Sequence, residues 1–182
     1  QYDHQVQINT LVGPGEGDAA VLRVKGSNKA LGISTDGNGR ISYLDPFIGG
    51  AFAVAEACRN LVCTGSAPLA ITNCLNFGNP ERSDIMWQFA QAVAGIKDAC
   101  LALEIPITGG NVSFYNETDG ESIYPTPVLG VVGVLENDKR VLGRVFSKTD
   151  AVLIELGALR GALGGSEYLK TILGLVRGRP SE

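Results

Sequence analysis

The pattern that most restricts the fold of this chain is a long helical stripe set between two short apolar strands. Asn79-Pro80 is a helix-start signal, and from there to about Glu104 apolar residues recur at spacings of three and four. The stripe consists of Ile85, Phe89, Val93, Ile96, Cys100 and Leu103. A buried-type strand at 68–75 precedes the helix and a short strand at 105–107 follows it. This succession predicts an α/β (α+β) domain in which helices pack on a sheet.

The remaining apolar runs predict one more helix and further strands. Asp45-Pro46 predicts the start of a helix, with Asp45 as its cap, and the helix continues over the alanine-rich segment 47–63. Strands are predicted at 19–25 and 30–35, which a hairpin-like turn joins, and also at 41–44, 127–135 and 151–156. A glycine turn and a helix at 167–176 follow the last of these strands.

These elements divide the chain into three predicted parts. Residues 1–18, with turn-forming residues from Gly13 to Asp18, are expected to be a linker. Residues 19–140 are expected to form the α/β domain, and residues 141–182 to be the truncated start of a second α/β domain. The chain begins without methionine and ends directly after a predicted helix, so we expect it to be a fragment of a longer protein.

Polar side chains follow three of the predicted strands. Asp36 and Asn38 follow the strand at 30–35, and Asn73 and Asn76 lie at the end of the strand at 68–75. The third group lies in a predicted loop, Thr108-Gly109-Gly110-Asn111-Val112-Ser113, where glycines let a ligand approach the backbone and an amide and a hydroxyl two residues apart can reach the same ligand. Hard cations take oxygen ligands, and phosphate takes backbone N–H and amide donors. Convergence of these groups would make a magnesium–nucleotide site, although each loop alone is more typical of a plain turn.

Composition and charge exclude several classes of function. A formal net charge of -4 without any run of Lys or Arg argues against nucleic acid or an anionic membrane as a partner. No window has the length of a membrane span and no signal peptide is visible, so the protein is expected to be cytoplasmic. The four cysteines form no C-x-x-C pair, and the single histidine, His4, has no triad partners. The chain also lacks a P-loop.

Six collinear motifs closely resemble the second half of the small-type synthetase subunit of the phosphoribosylformylglycinamidine synthases, enzymes of purine biosynthesis. The motifs lie at 2–7, 17–21, 35–40, 55–61, 70–80 and 109–118. The resemblance implies an aminoimidazole-ribonucleotide-synthetase-like N-terminal domain, with a mixed sheet packed by helices, that pairs through its sheet into a barrel-like interface. It also implies an ATP-dependent ligase: ATP phosphorylates the amide oxygen of formylglycinamide ribonucleotide, and ammonia then displaces phosphate to give the amidine.

The resemblance also implies roles for individual residues, which we carry over position by position. Gly110 matches a position that contacts ATP, Asn111 a magnesium ligand, and Ser113 a contact to the ribonucleotide substrate. Asn73 stands where most relatives carry an Asp that contacts ATP, so it keeps a hydrogen-bonding amide but lacks the charge.

A second magnesium position is implied on the predicted helix at 47–63. Glu56 and Asn60 lie four residues apart, on one helix face, and match positions that hold magnesium at a structural nucleotide site in the related single-chain enzymes. No segment here matches the catalytic histidine of the family, so no catalytic residue is assigned and the isolated fragment is expected to be inactive. The implied partners are the first half of the synthetase subunit, a glutaminase subunit and a small bridging subunit.

Two alternatives remain open. The first is a sister ATP-dependent enzyme, such as aminoimidazole ribonucleotide synthetase or a thiamine-phosphate or selenophosphate kinase, although the motif at 75–80 argues against these. The second is a structural pairing domain, in which strands at 19–25, 30–35 and 127–135 lie at an edge that is left open without the first half. In that case the fragment is expected to form a homodimer.

Overall fold

The computed structural model describes residues 5, 8–146, 150–157 and 162–181. The strands are β1 (Thr10–Val12), β2 (Ala20–Arg23), β3 (Ala30–Asp36), β4 (Ala67–Asn76), β5 (Ile107–Ser113), β6 (Glu117–Thr118), β7 (Glu121–Ser122) and β8 (Thr126–Leu135). The α-helices are α1 (Gly39–Leu44), α2 (Pro46–Val62), α3 (Ser83–Ala102) and α4 (Glu167–Leu173), and a short 3₁₀ turn covers Asp138–Arg140. Among the described helices, none combines the length and the hydrophobicity that a membrane span requires.

Six of the strands form one mixed sheet in the order β1-β2-β3-β8-β4-β5. The β4–β5 pair is parallel, and the other neighbouring pairs are antiparallel. Since β8 runs opposite to both of its neighbours, β3, β4 and β5 all point the same way. The polar residues at the ends of these three strands therefore lie at the same end of the sheet. Strands β6 and β7 form a separate hairpin.

The two faces of the sheet differ in what covers them. On the face that α2 and α3 cover, the main core cluster includes Ile71, Leu75, Leu129 and Val131, all buried. We call this the covered face. The opposite, open face carries no helix among the described residues, and its apolar side chains are partly exposed: Leu31, Ile33 and Val132 have exposed fractions of 37%, 38% and 39%. The domain thus has a one-sided core.

Two glycines let α2 and α3 pack at very close range. A Cβ on Gly95 would overlap the Phe47 carbonyl oxygen, and a Cβ on Gly50 would overlap the Ala92 carbonyl oxygen. The buried Ser34 hydroxyl of β3 donates to the Ala57 carbonyl oxygen at 2.7 Å. The helix pair is therefore held against the sheet by close backbone packing as well as by apolar side chains.

Most of the predicted elements are confirmed. The structure has strands that overlap 19–25, 30–35, 68–75 and 127–135, a hairpin between the first two, and helices that overlap 47–63 and 167–176. Asp45 caps α2 as predicted, since its carboxylate accepts from the Ile48 N–H at 3.1 Å and Pro46 occupies the first turn. The segment predicted as a linker contains the short strand β1, which pairs with β2.

Three predictions of helices and strands are wrong. Residues 41–44 belong to α1, not to a strand, because the Asn38 amide oxygen caps a helix by accepting from Arg40 N and Ile41 N. Helix α3 begins at Ser83, and Asn79 instead closes a turn by accepting from Glu81 N at 2.9 Å. Residues 151–156 form no strand, and no described strand lies beside them to supply hydrogen bonds.

Two further expectations about packing also need correction. In the α3 stripe, Ile85, Ile96 and Cys100 are buried, but Val93 and Leu103 are 39% and 45% exposed. The small residues Ala92 and Gly95 are buried in their place, because the close contact with α2 turns that side of the helix inward. Strands β2, β3 and β8 lie inside the sheet, so its edges are β1 and β5 and the uncovered apolar surface is a face.

Replacement of Gly95 by alanine should destabilise the chain by about 2 kcal/mol, because overpacking outweighs the roughly 1 kcal/mol gain in helix propensity. The measurement is urea unfolding followed by circular dichroism. Ala90→Gly, at an exposed position of the same helix, is the control and should cost only about 1 kcal/mol. A stabilised Gly95→Ala protein would contradict the close helix contact.

Candidate functional site

The stretch Gly109-Gly110-Asn111-Val112-Ser113 lies on strand β5, so the expectation of a loop at this position is wrong. Its residues pair in register with β4: Asn73 lies beside Gly110, Cys74 beside Asn111, and Asn76 beside Ser113. The backbone ladder with β4 holds this glycine-rich segment extended, although its own residue types favour a turn. Since β5 is an edge strand, its outer side is not paired with another described strand.

The register divides the predicted site residues between two faces of the sheet. Neighbours in a parallel pair face the same side, and successive residues alternate. Asn73 and Gly110 therefore lie on the covered face, whereas Asn111 and Ser113 lie on the open face. A Cβ on Gly110 would overlap the Asn73 amide oxygen, so this glycine makes room for the Asn73 side chain. The sequence alone predicted a single cluster, and the structure brings these residues together as two pairs.

A groove on the covered face runs between β5 and α3. Its volume is about 490 Å³, and its walls are largely apolar, from Phe89, Val93 and Val112, with Asn73 and Lys97 as polar groups. Helix α3 does not extend over the outermost strand, so Val112 remains 49% exposed. An apolar groove with an amide and an ammonium group is suited to a partly planar, anionic ligand.

Asn111 on the open face is oriented by its neighbours on β4. Its Nδ2 lies 3.6 Å from Cys74 Sγ, which turns the amide oxygen away from the sulfur. The Asn76 Nδ2 is held by two carbonyl oxygens, those of Cys74 and Thr126, each at 3.2 Å. A Cβ on Gly109 would meet nothing within 4 Å, so the backbone beside Asn111 is accessible. The Asn111 oxygen is therefore available to a cation or a donor on this face.

Sequence reasoning overlooked Asn116, which holds Ser113. The Asn116 amide contacts the Ser113 hydroxyl, and it also donates to the carbonyl oxygens of Ser113 and Phe77, both at 2.9 Å. Tyr115, with φ of 59°, reverses the chain so that Asn116 returns beneath the end of β5. The available signal was an asparagine directly after a strand, a residue type that hydrogen-bonds to nearby backbone.

Glu56, Asn60 and Asp36 form a second polar group, on the covered side near the end of β3. Asn60 Nδ2 donates to Asp36 Oδ2 at 3.0 Å, and Glu56 lies one turn earlier on α2. Burial raises the pKa of Asp36, while the Asn60 hydrogen bond and the nearby Arg59 charge partly offset this effect. Strand β8 separates β3 from β4, so this group is distinct from the Asn111 position. Asn38 caps α1 and does not join it.

The side-chain oxygens described above could bind magnesium only together with ligands from outside this chain. Within the described residues, no three or more His, Cys, Asp or Glu side chains cluster as a metal site. Magnesium commonly keeps several waters and binds one or two protein oxygens together with phosphate oxygens. The amide oxygen of Asn111, or the oxygens of Asp36, Glu56 and Asn60, can supply that protein share.

Comparisons with known proteins give one consistent result. Residues 16–135 match the family described as AIR synthase related protein, N-terminal domain. Among curated proteins, the chain is similar to phosphoribosylformylglycinamidine synthase subunit PurL of Moorella thermoacetica, with 57% identity over 99% of this chain and 24% of that protein. The same subunit of Caldanaerobacter subterraneus is 50% identical over 100% of this chain and 25% of its own length. The chain thus spans about a quarter of these relatives.

Solved structures agree with the sequence relatives. PurLQS from Thermotoga maritima matches with a TM-score of 0.71 and 36% identity, over 77% of this chain and 23% of that chain. T. maritima PurL complexed with ATP matches with a TM-score of 0.67 and 34% identity, over 73% and 22% of the two chains. The same protein complexed with FGAR gives a TM-score of 0.67 and 34% identity, over 73% and 21%.

Replacement of Gly110 by alanine should destabilise the chain by about 1 to 3 kcal/mol, since the new methyl group overlaps the Asn73 amide and also crowds the Asn73 backbone carbonyl oxygen, which cannot rotate away. Gly109→Ala is the matched control and should change stability by less than about 1 kcal/mol, because that side of the strand is open. Denaturant unfolding measures both. Asn73→Ala in the Gly110→Ala background should recover only part of the loss, since the Asn73 carbonyl oxygen remains at 2.7 Å; equal effects at 109 and 110 would contradict the register.

Proposed function

Because the chain belongs to the family of AIR synthase related proteins, we propose that it forms one wall of the active site of a phosphoribosylformylglycinamidine synthase. The reaction would be the ATP-dependent conversion of formylglycinamide ribonucleotide to its amidine in purine biosynthesis. The similarity to PurL subunits over the whole chain supports this proposal, as do the PurL structures complexed with ATP and with FGAR. These relatives favour it over the alternative of a sister enzyme such as aminoimidazole ribonucleotide synthetase.

One observation carries the proposal: Asn111 and Ser113 stand side by side on the open face of an edge strand, next to the accessible backbone of Gly109. In the proposed roles, Asn73 and Gly110 contact ATP from the covered face, while Asn111 binds magnesium and Ser113 contacts the ribonucleotide on the open face. The bound molecules would then meet across the outer side of β5, which is not paired with another described strand. Glu56 and Asn60, with Asp36 beside them, would hold a second magnesium ion at a structural nucleotide site. Magnesium would neutralise phosphate charge, and the protein oxygens would fix its position.

The rest of the enzyme would come from outside this chain. We propose that residues 19–140 are the second N-terminal domain of the synthetase subunit, after a linker at 1–18, and that residues 141–182 begin a C-terminal domain. The partners would be the first half of the subunit, a glutaminase subunit and a small bridging subunit, in the cytoplasm. The similarity to the PurLQS structure supports an assembly of several subunits. The isolated chain, without the opposite wall, is expected to form no amidine.

Asn111→Ala in the full-length subunit should lower the rate of amidine formation by about 100-fold or more, since even outer partners of a metal ligand are worth roughly 10–100-fold. The assay is amidine formation from formylglycinamide ribonucleotide, ATP, magnesium and ammonia. Asn137→Ala is the control: Asn137 caps a short 3₁₀ turn away from the site, and its loss should leave the rate unchanged. An active Asn111→Ala subunit would refute the assignment.

A second candidate function, pairing through the sheet, follows from the open face. Ile33 of β3 and Val132 of β8 lie directly opposite one another at its centre, and both remain more than a third exposed. Apolar side chains at the centre of a sheet are normally covered. We propose that the first half of the subunit covers this face in the whole enzyme, and that a second copy covers it when the chain is alone.

The isolated chain should therefore be a homodimer at micromolar concentration, and Val132→Glu should make it monomeric because a charge in the paired face is desolvated. Multi-angle light scattering measures the mass. Val62→Glu, at a 55% exposed position on α2, is the matched control and should remain dimeric. A wild-type monomer would exclude pairing of the isolated chain.

A further inference from the structure

The side-chain amide of Asn116 contacts the Ser113 hydroxyl and determines whether that hydroxyl donates or accepts a hydrogen bond. The Asn116 Oδ1 lies 3.3 Å from Ser113 Oγ, and Asn116 Nδ2 lies 3.1 Å from the same oxygen. Nδ2 also donates to the carbonyl oxygens of Phe77 and Ser113, both at 2.9 Å. Both side chains are partly buried at the junction where β4 and β5 end.

The number of hydrogens decides the direction of these bonds. An amide nitrogen has two hydrogens, and the two carbonyl oxygens take the shorter contacts. The two carbonyl oxygens also fix the orientation of the Asn116 amide, because a flipped amide would place Oδ1 against both of them. The Oδ1 atom must therefore face Ser113, and the Ser113 O–H donates to it. The hydroxyl then presents its lone pairs, and not its hydrogen, to anything that binds on the open face.

We propose that Asn116 is a positioning residue that makes Ser113 a hydrogen-bond acceptor, so that Ser113 recognises a donor group of the bound ribonucleotide, a hydroxyl or an amide N–H. A phosphate oxygen, which needs a donor, is not its contact. The inference rests on the proposed function in one respect, namely that Ser113 contacts the substrate. It adds the role of Asn116 and the chemical class of the group that Ser113 binds.

The backbone hydrogen bonds around Asn116 allow its side chain to be removed without disturbing the ends of β4 and β5. The Phe77 carbonyl oxygen also accepts from the Asn116 backbone N–H at 3.2 Å, and the Ser113 carbonyl oxygen accepts from Phe77 N at 3.0 Å. Both carbonyls keep these backbone bonds in Asn116→Ala. The substitution should therefore preserve the strand ends and free the Ser113 hydroxyl to rotate.

The experiment measures steady-state kinetics of the full-length subunit with ammonia, for wild type, Ser113→Ala, Asn116→Ala and the double variant. We expect Ser113→Ala to raise KM for formylglycinamide ribonucleotide about tenfold, the value of one hydrogen bond, and Asn116→Ala to raise it by a smaller factor because the freed hydroxyl can still accept, while kcat and KM for ATP stay within about twofold. The double variant should be no worse than Ser113→Ala alone, because Asn116 acts only through the Ser113 hydroxyl. Thr118→Ala, on the exposed β6, is the control and should match wild type.

The outcomes separate this inference from the function on which it rests. Additive losses in the double variant, or equal losses for ATP and the ribonucleotide, would mean that Asn116 acts only on the fold and would overturn the inference alone. A lower KM in Asn116→Ala would show that a freed O–H improves binding, and would overturn the acceptor role. An inactive wild-type subunit, or one indifferent to Asn111→Ala, would remove the proposed function and this inference with it.

Discussion

The parallel ladder between β4 and β5 is the interaction on which the candidate chemistry depends. It runs from Ile71 beside Ile107 to Asn76 beside Ser113, and its register decides which side chains share a face. A slip by one residue would turn Asn111 towards the helices and Gly110 towards the open side. Asn116 fastens the end of this ladder, since it bonds to Phe77 after β4 and to Ser113 at the end of β5. Strand pairing therefore determines the geometry of the site.

The helices packed on the covered face restrict movement of the β4–β5 ladder. Helices α2 and α3 meet backbone to backbone at Gly50 and Gly95, and Ser34 ties α2 to β3. Phe77 packs edge-on against Phe89, with ring centroids 5.3 Å apart, directly behind the end of β4. Packed interiors of this kind deform little, so the polar residues at the strand ends are held by a rigid layer. The open face has no such layer among the described residues.

The sequence predicts elements well where local signals and tertiary packing agree. Asp45-Pro46 combines a cap with a first-turn proline, and β8 is a long β-branched run, so both were correctly predicted. Short segments depend on their surroundings. Residues 41–44 have strand-like composition, yet one cap at Asn38 makes them helical, because periodicity cannot separate the two states over so few residues.

The same limit applies to the site. The motifs identified the candidate site residues. However, Gly109 and Gly110 are residue types that favour turns, and only their pairing with β4 makes them part of a strand. Without that pairing, the division of Asn73 and Asn111 between opposite faces cannot be derived. The role of Asn116 was equally hidden, because it depends on a left-handed Tyr115 and on a carbonyl 39 residues away.

The position of β8 has a thermodynamic consequence for the two polar groups. Because β8 lies between β3 and β4, the strands that end at Asp36 and Ser113 are three strand spacings apart, or roughly 14 Å. Substitutions this far apart, without shared partners, act additively on free energies. Protonation or ion binding at Asp36 and Asn60 should then leave the affinity at Asn111 unchanged, unless a nucleotide or another part of the enzyme couples them. The intervening strands therefore do not couple the two groups. Any cooperativity between the Asp36–Asn60 group and Asn111 would require a bound molecule that contacts both.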